Sequence, residues 1–106
     1  MNIEIVNAKV EQFANLGRYF FAELRCGKQH MSVVVGSGRV QACVHNASNR
    51  VWKGLGKSFE SFDKARANYK SAEVLAMINE AERLDRVTKT GFSVEMAIAH
   101  GITEAV

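Results

Sequence analysis

Arg18-Tyr-Phe-Phe-Ala-Glu-Leu-Arg-Cys26 alternates strictly: Phe20, Ala22, Leu24 and Cys26 fall on one side, and Tyr19, Phe21, Glu23 and Arg25 on the other. Successive side chains of an extended strand point to opposite faces, so this period of two predicts a strand with one apolar face. Gly27-Lys28-Gln29 reads as a turn, and Met31-Ser-Val-Val-Val35 supplies the β-branched residues that a pleated strand favours. Gly36-Ser-Gly-Arg39 follows as a tight hairpin turn, because glycine takes positive φ without steric cost. In the next strand Val40, Ala42 and Val44 alternate with Gln41, Cys43 and His45. The three strands form an antiparallel meander.

Working outward toward the N-terminus, Ile3 and Ile5, then Val6, Ala8 and Val10, give two period-2 runs that are out of phase. A strand with a bulge near Ile5-Val6 accounts for the change of phase. A short helix capped by Asn7, carrying Val10, Phe13 and Ala14 and stopped by Gly17, is the competing reading. The strand is preferred.

Toward the C-terminus, His45 to Asn49 is a polar loop, and Val51 with Trp52 adds a short edge strand. After Gly54-Leu-Gly56 the period changes from 2 to 3.6. Ser61 is a suitable N-cap, with Phe62, Ala65 and Tyr69 spaced along one helical face. Ser71 either starts a second helix or marks a bend in the first; Val74, Leu75, Ile78 and Ala81 continue the apolar stripe. Asp85 to Gly91 reads as a polar link. Ser93 then opens a last short helix, Val94 to His100, with Gly101 placed for its C-terminal cap. The fold expected is α+β: an antiparallel sheet of three to five strands, packed on one face by the helical segment Ser61–Leu84.

The 106 residues fit one domain, 1–106, and 47% hydrophobic with 24% charged residues is ordinary for a folded protein. No apolar run reaches the roughly 18–20 residues that span a bilayer. Met1-Asn-Ile-Glu-Ile-Val6 lacks the basic flank and apolar core of a secretory signal. Two cysteines, Cys26 and Cys43, make no disulfide framework and show no metal-ligand spacing with histidine, so free thiols and a cytoplasmic location are expected. The net charge of +3 is uneven: residues 50–70 carry six basic and two acidic side chains, leaving the remainder at −1.

Little in the chain points to catalysis or a cofactor. Gly54-Leu-Gly-Lys57-Ser58 echoes the end of a phosphate-binding loop, but Val51 stands where that motif needs glycine. His30, His45 and His100 have no paired spacing for a metal. Cys43 and His45 share a strand face with no orienting carboxylate, and Glu80 and Glu82 point to different helix faces. No enzyme, metal or cofactor is therefore expected.

Two binding readings remain. In the first, Arg50, Trp52, Lys53, Lys57, Lys64, Arg66 and Lys70 form a basic patch that meets nucleic acid or another polyanion through phosphate contacts. Three hairpin-linked strands, then Gly54-Leu-Gly56 and a helix entered by Lys57, Lys64 and Arg66, are similar in order to the latter part of a double-stranded-RNA-binding domain. That resemblance implies phosphate contacts at the helix N-terminus, although Phe59 and Glu60 replace the paired lysines that the family has after the turn. Ala97-Ile-Ala-His-Gly101 has the small-residue spacing of a helix-turn-helix turn, but no recognition helix follows it. In the second reading, Arg18, Tyr19, Phe21 and Arg25 on the second sheet face anchor a protein partner or a homodimer, as in a small phage- or plasmid-borne factor that docks on a host protein.

Overall fold

The computed structural model describes residues 2–46 and 56–100. Five strands, β1 (Glu4–Phe13), β2 (Gly17–Cys26), β3 (Gln29–Gly36), β4 (Arg39–Asn46) and β5 (Lys57–Phe59), are followed by helices α1 (Phe62–Ala67), α2 (Ala72–Lys89) and α3 (Val94–His100). The strands lie in the sheet in chain order, each antiparallel to its neighbour. This is the expected α+β meander.

The N-terminal segment is a strand, and its register shifts between Ile5 and Asn7, where the two apolar runs change phase. One inserted residue explains both runs: Ile5 pairs with Leu24 and Ala8 with Ala22, so the two runs face the same core. Glu4–Phe13 is thus a strand and not the short helix capped by Asn7. Val51-Trp52, Arg50, Lys53 and the Gly101 cap lie outside the described residues. Lys57 to Phe59, expected to belong to the passage into helix, instead forms a fifth strand against Val40–Ala42.

Gly56 sets up that strand. It has φ +69°, and a β-carbon there would lie 2.8 Å from both the Ala42 carbonyl carbon and the Cys43 β-carbon. Only glycine lets the chain come this close to β4 in this conformation.

Ser61 and Ser71 each cap a separate helix: their hydroxyls accept from the Lys64 amide at 3.2 Å and the Val74 amide at 3.3 Å. The helical segment is therefore two helices with Asn68–Ser71 between them. Tyr69 leaves the helical face expected for it and packs edge-on to Phe59, ring centroids 6.2 Å apart. The reading of Asp85 to Gly91 as a polar link is corrected, because α2 runs on to Lys89. Leu84 and Val87 continue its buried stripe past the polar composition that hid it.

Helix α2 crosses β2 and β3 on the face of Phe20, Leu24, Met31 and Val33, while α1 lies by β4 and β5 and α3 by β1. Phe20, Leu24, Met31, Met77, Ile78 and Leu84 are fully buried between the layers. Each contributes about 1.5–3 kcal/mol by removal from water. One ion pair fixes how the layers meet. Arg18 donates to Asp85 Oδ1 at 2.8 Å and to Thr88 Oγ1 at 2.8 Å, joining the start of β2 to the last turns of α2.

Tyr69 provides a pH test of this packing. Burial, chiefly, raises its pKa above the ordinary 10.0; a hydrogen bond to Asn68 opposes this, and nearby Cys43 adds a smaller upward push. The folded state thus prefers the neutral phenol. Its contribution is intact below pH 10.0, where both states are neutral, and is lost as pH rises through the raised value. Tyr69→Phe is expected to flatten the fall in urea midpoint across roughly pH 9–11 relative to the parent protein. Equal slopes in the two proteins would contradict the burial of this hydroxyl.

Candidate functional site

Because the helices take one face of the sheet, the alternate residues of every strand make up the other face, on which no described helix packs. From β1 it receives Glu4, Lys9, Glu11 and Phe13; from β2, Tyr19, Phe21, Glu23 and Arg25. Strands β3 and β4 add Ser32, Val34, Gln41 and Cys43.

Three rings form its centre. Tyr19 and Phe21, two apart on β2, stack with centroids 6.2 Å apart and planes at 25°. Phe13, across from Gly17, meets Tyr19 edge-on at 5.5 Å and 85°. The Tyr19 ring also lies across Gly36, where a β-carbon would stand 2.7 Å from its Cγ. Its hydroxyl shares a hydrogen bond of 2.5 Å with Ser37 in the hairpin turn. Glycine in the neighbouring strand thus makes room for a ring laid flat on the sheet. These contacts restrict the Tyr19 ring, which lowers the side-chain entropy lost when something binds.

Two of the cations on this face are paired with carboxylates along or across β1. Lys9 bridges Glu11 at 2.7 Å and lies 5.2 Å above the Phe21 ring. Arg25 bridges Glu4 at 2.5 Å, and Arg39 donates to Ser58 at 3.0 Å. With Glu23, which has no charged partner among the described residues, the described part of this face comprises three acidic and three basic groups and sums to zero formal charge. Its far end, beside the β2–β3 turn, is closed over His30, which is 8% exposed; the aromatic end is open.

Of the four residues expected at a protein interface, Tyr19, Phe21 and Arg25 share this face. Arg18 is corrected: it has the parity of Phe20, points to the helical side and is held there by Asp85. Alternation alone already placed it so. Lys9, Glu11, Phe13 and Val34 complete the face and were not singled out from sequence. Lys9, Glu11 and Phe13 become visible once β1 is read as a strand, since they occupy the phase opposite Ala8 and Val10, and Val34 follows from the alternation of β3.

The basic patch is only partly assembled. Arg66 is bound to Glu82 at 2.7 Å, to Asn79 at 3.1 Å and to Asp63. These hydrogen bonds, Glu82 first and then Asp63, raise its pKa. Lys57, Lys64 and Lys70 are exposed and make no ion pair among the described residues. Arg50, Trp52 and Lys53 lie outside the described residues.

A cleft of about 540 Å³ opens between the β3–β4 turn and α2. Its charged walls balance, with Arg18, Arg39, Arg86 and Lys89 facing Glu60, Asp63, Glu82 and Asp85. Among the described residues no three His, Cys, Asp or Glu side chains are placed to hold a metal ion, and no helix is long and apolar enough to cross a membrane. No known protein family, curated protein or solved structure matches this chain.

Proposed function

We propose that this chain is a non-enzymatic protein-docking module whose open sheet face receives an apolar, uncharged surface of a partner protein. The observation that carries this reading is the Phe13–Tyr19–Phe21 cluster, in mutual contact on a face on which no described helix packs and whose described charges sum to zero. Aromatic anchors surrounded by satisfied polar groups are the composition of protein interface centres. A polyanion reader needs unpaired cations around its rings, and of the three described cations on this face Lys9 and Arg25 are each bonded to a carboxylate, while Arg39 is held by the Ser58 hydroxyl.

The test is affinity capture from the host, followed by purification of the captured protein and calorimetric titration with it. Phe21→Ala is expected to weaken binding at least about tenfold, as loss of an interface anchor does, with the far-ultraviolet circular dichroism unchanged. Replacing Lys57, Lys64 and Lys70 together by glutamate is expected to leave the affinity unchanged. The opposite pattern, with loss on the lysine side alone, would overturn the reading.

A second reading rests on those same three exposed lysines, which have no carboxylate partner among the described residues. It is contact with nucleic-acid phosphates on the α1 side of the molecule. It requires gel-shift binding that weakens steeply with salt, and absence of binding at low salt removes it.

A further inference from the structure

Strand β1 ends the sheet: it pairs with β2 on one side, and among the described residues nothing pairs with the other. It is ten residues long, and a long open edge is a template for another strand. The large hydrophobic side chains exposed on the described surface gather here. Val6, Val10 and Phe13 are on β1 and Leu16 in the turn after it. Phe92, Met96 and Ile98 are on or just before α3, the helix that packs beside β1.

We infer that β1 pairs antiparallel with β1 of a second copy of this chain, about a two-fold axis at Val10, joining two five-stranded sheets into one of ten. The occupant follows from charge complementarity. After the bulge the strand reads Asn7-Ala-Lys-Val-Glu-Gln-Phe13. Placed opposite itself about Val10, it sets Lys9 against Glu11 of the copy and Glu11 against Lys9 of the copy. Val10 meets Val10, and Ala8 meets Gln12.

Opposite charges face each other twice, and no like charges do. Lys9 and Glu11 are already bonded along the strand at 2.7 Å, so the copy closes an alternating ring of four charges. About Ala8 instead, Lys9 would face Asn7 and Glu11 would face Ile5. The Val10 pair lies on the helical side, above a groove of about 410 Å³ between β1 and the α3 segment. The two-fold also brings both exposed α3 surfaces to the same seam, the self-complementary arrangement that a symmetric dimer requires. This interface uses the edge of the sheet and leaves the outward faces of Tyr19 and Phe21 free for a partner.

Sedimentation velocity over a concentration series tests the pairing. The parent protein is expected to sediment as a concentration-dependent dimer. Lys9→Glu puts glutamates opposite each other twice and should raise the dimer dissociation constant roughly tenfold or more; Glu11→Lys does the same with lysines. An equimolar mixture of Lys9→Glu and Glu11→Lys chains restores both opposite-charge pairs, and the dimer should return. Restoration in trans cannot arise from any effect within one chain. A monomer at every concentration, a dimer indifferent to both substitutions, or variants that fail to rescue each other would each overturn the inference. Loss of Phe21-dependent partner capture would leave it standing.

Discussion

Asp85→Ala is expected to cost about 3 kcal/mol of stability, a melting temperature lower by roughly 12–20 °C in a chain of this size. Asp85 is buried, its side chain 5% exposed, and it receives Arg18 at 2.8 Å; the Arg18 side chain is itself 23% exposed. Removing the carboxylate leaves the guanidinium half-buried with only Thr88 and a long 3.4 Å contact to the Asp85 carbonyl. Its remaining access to water keeps the loss at the lower end of the range for buried pairs. Lys89, 3.3 Å from the same carboxylate but exposed, contributes little. The double variant Arg18→Met with Asp85→Leu separates the cost of an orphaned charge from the worth of the pair. It should be more stable than Asp85→Ala, since neither charge is then left alone. Thermal unfolding followed by circular dichroism reads all three, and an Asp85→Ala protein as stable as the parent would contradict the role of this pair in joining sheet and helix.

Gly56→Ala is the second large effect, again about 3 kcal/mol. Roughly 1–2 kcal/mol belongs to an L-residue at positive φ. The remainder comes from a methyl group forced against β4 backbone, with the Ala42 carbonyl carbon at 2.8 Å. Gly38 isolates the two parts: its φ is +72°, yet a β-carbon there meets nothing within 4 Å. Gly38→Ala should lose only the conformational part. If the two variants unfold at the same urea concentration, β5 is not held to β4 as described.

The two sites differ in how far the sequence revealed them. Alternation on β2 was enough to divide Phe20 and Leu24 from Tyr19 and Phe21, and the change of phase at Ile5-Val6 located the bulge. Those signals are local, because a strand's own pleat sorts its side chains. Asp85 was hidden because a buried carboxylate is indistinguishable in composition from a solvated one. Its partner lies 67 residues away, at the opposite end of a sheet-to-helix contact. Gly56 was recognised as a turn but not as the approach to a strand, since Lys57-Ser-Phe59 is too short to show a period. The docking face was half legible. Tyr19, Phe21 and Arg25 followed from parity, whereas the pairing of Arg25 with Glu4 depends on the β1–β2 register. Those two pairings, Lys9 with Glu11 and Arg25 with Glu4, are what favour a protein over a polyanion at the aromatic cluster. The basic mid-chain run, prominent in sequence, has lost Arg66 to Glu82 and Asp63.

The most direct measurement is site-specific photo-crosslinking in the host, with a benzophenone side chain placed at Phe21 in one protein and at Lys64 in another. A docking face built on the aromatic cluster predicts a discrete protein adduct from position 21, larger than a self-adduct, and none of it from position 64. Adducts from position 64 alone, nucleic acid in place of protein, or only the doubled mass of the chain itself at position 21 would contradict it.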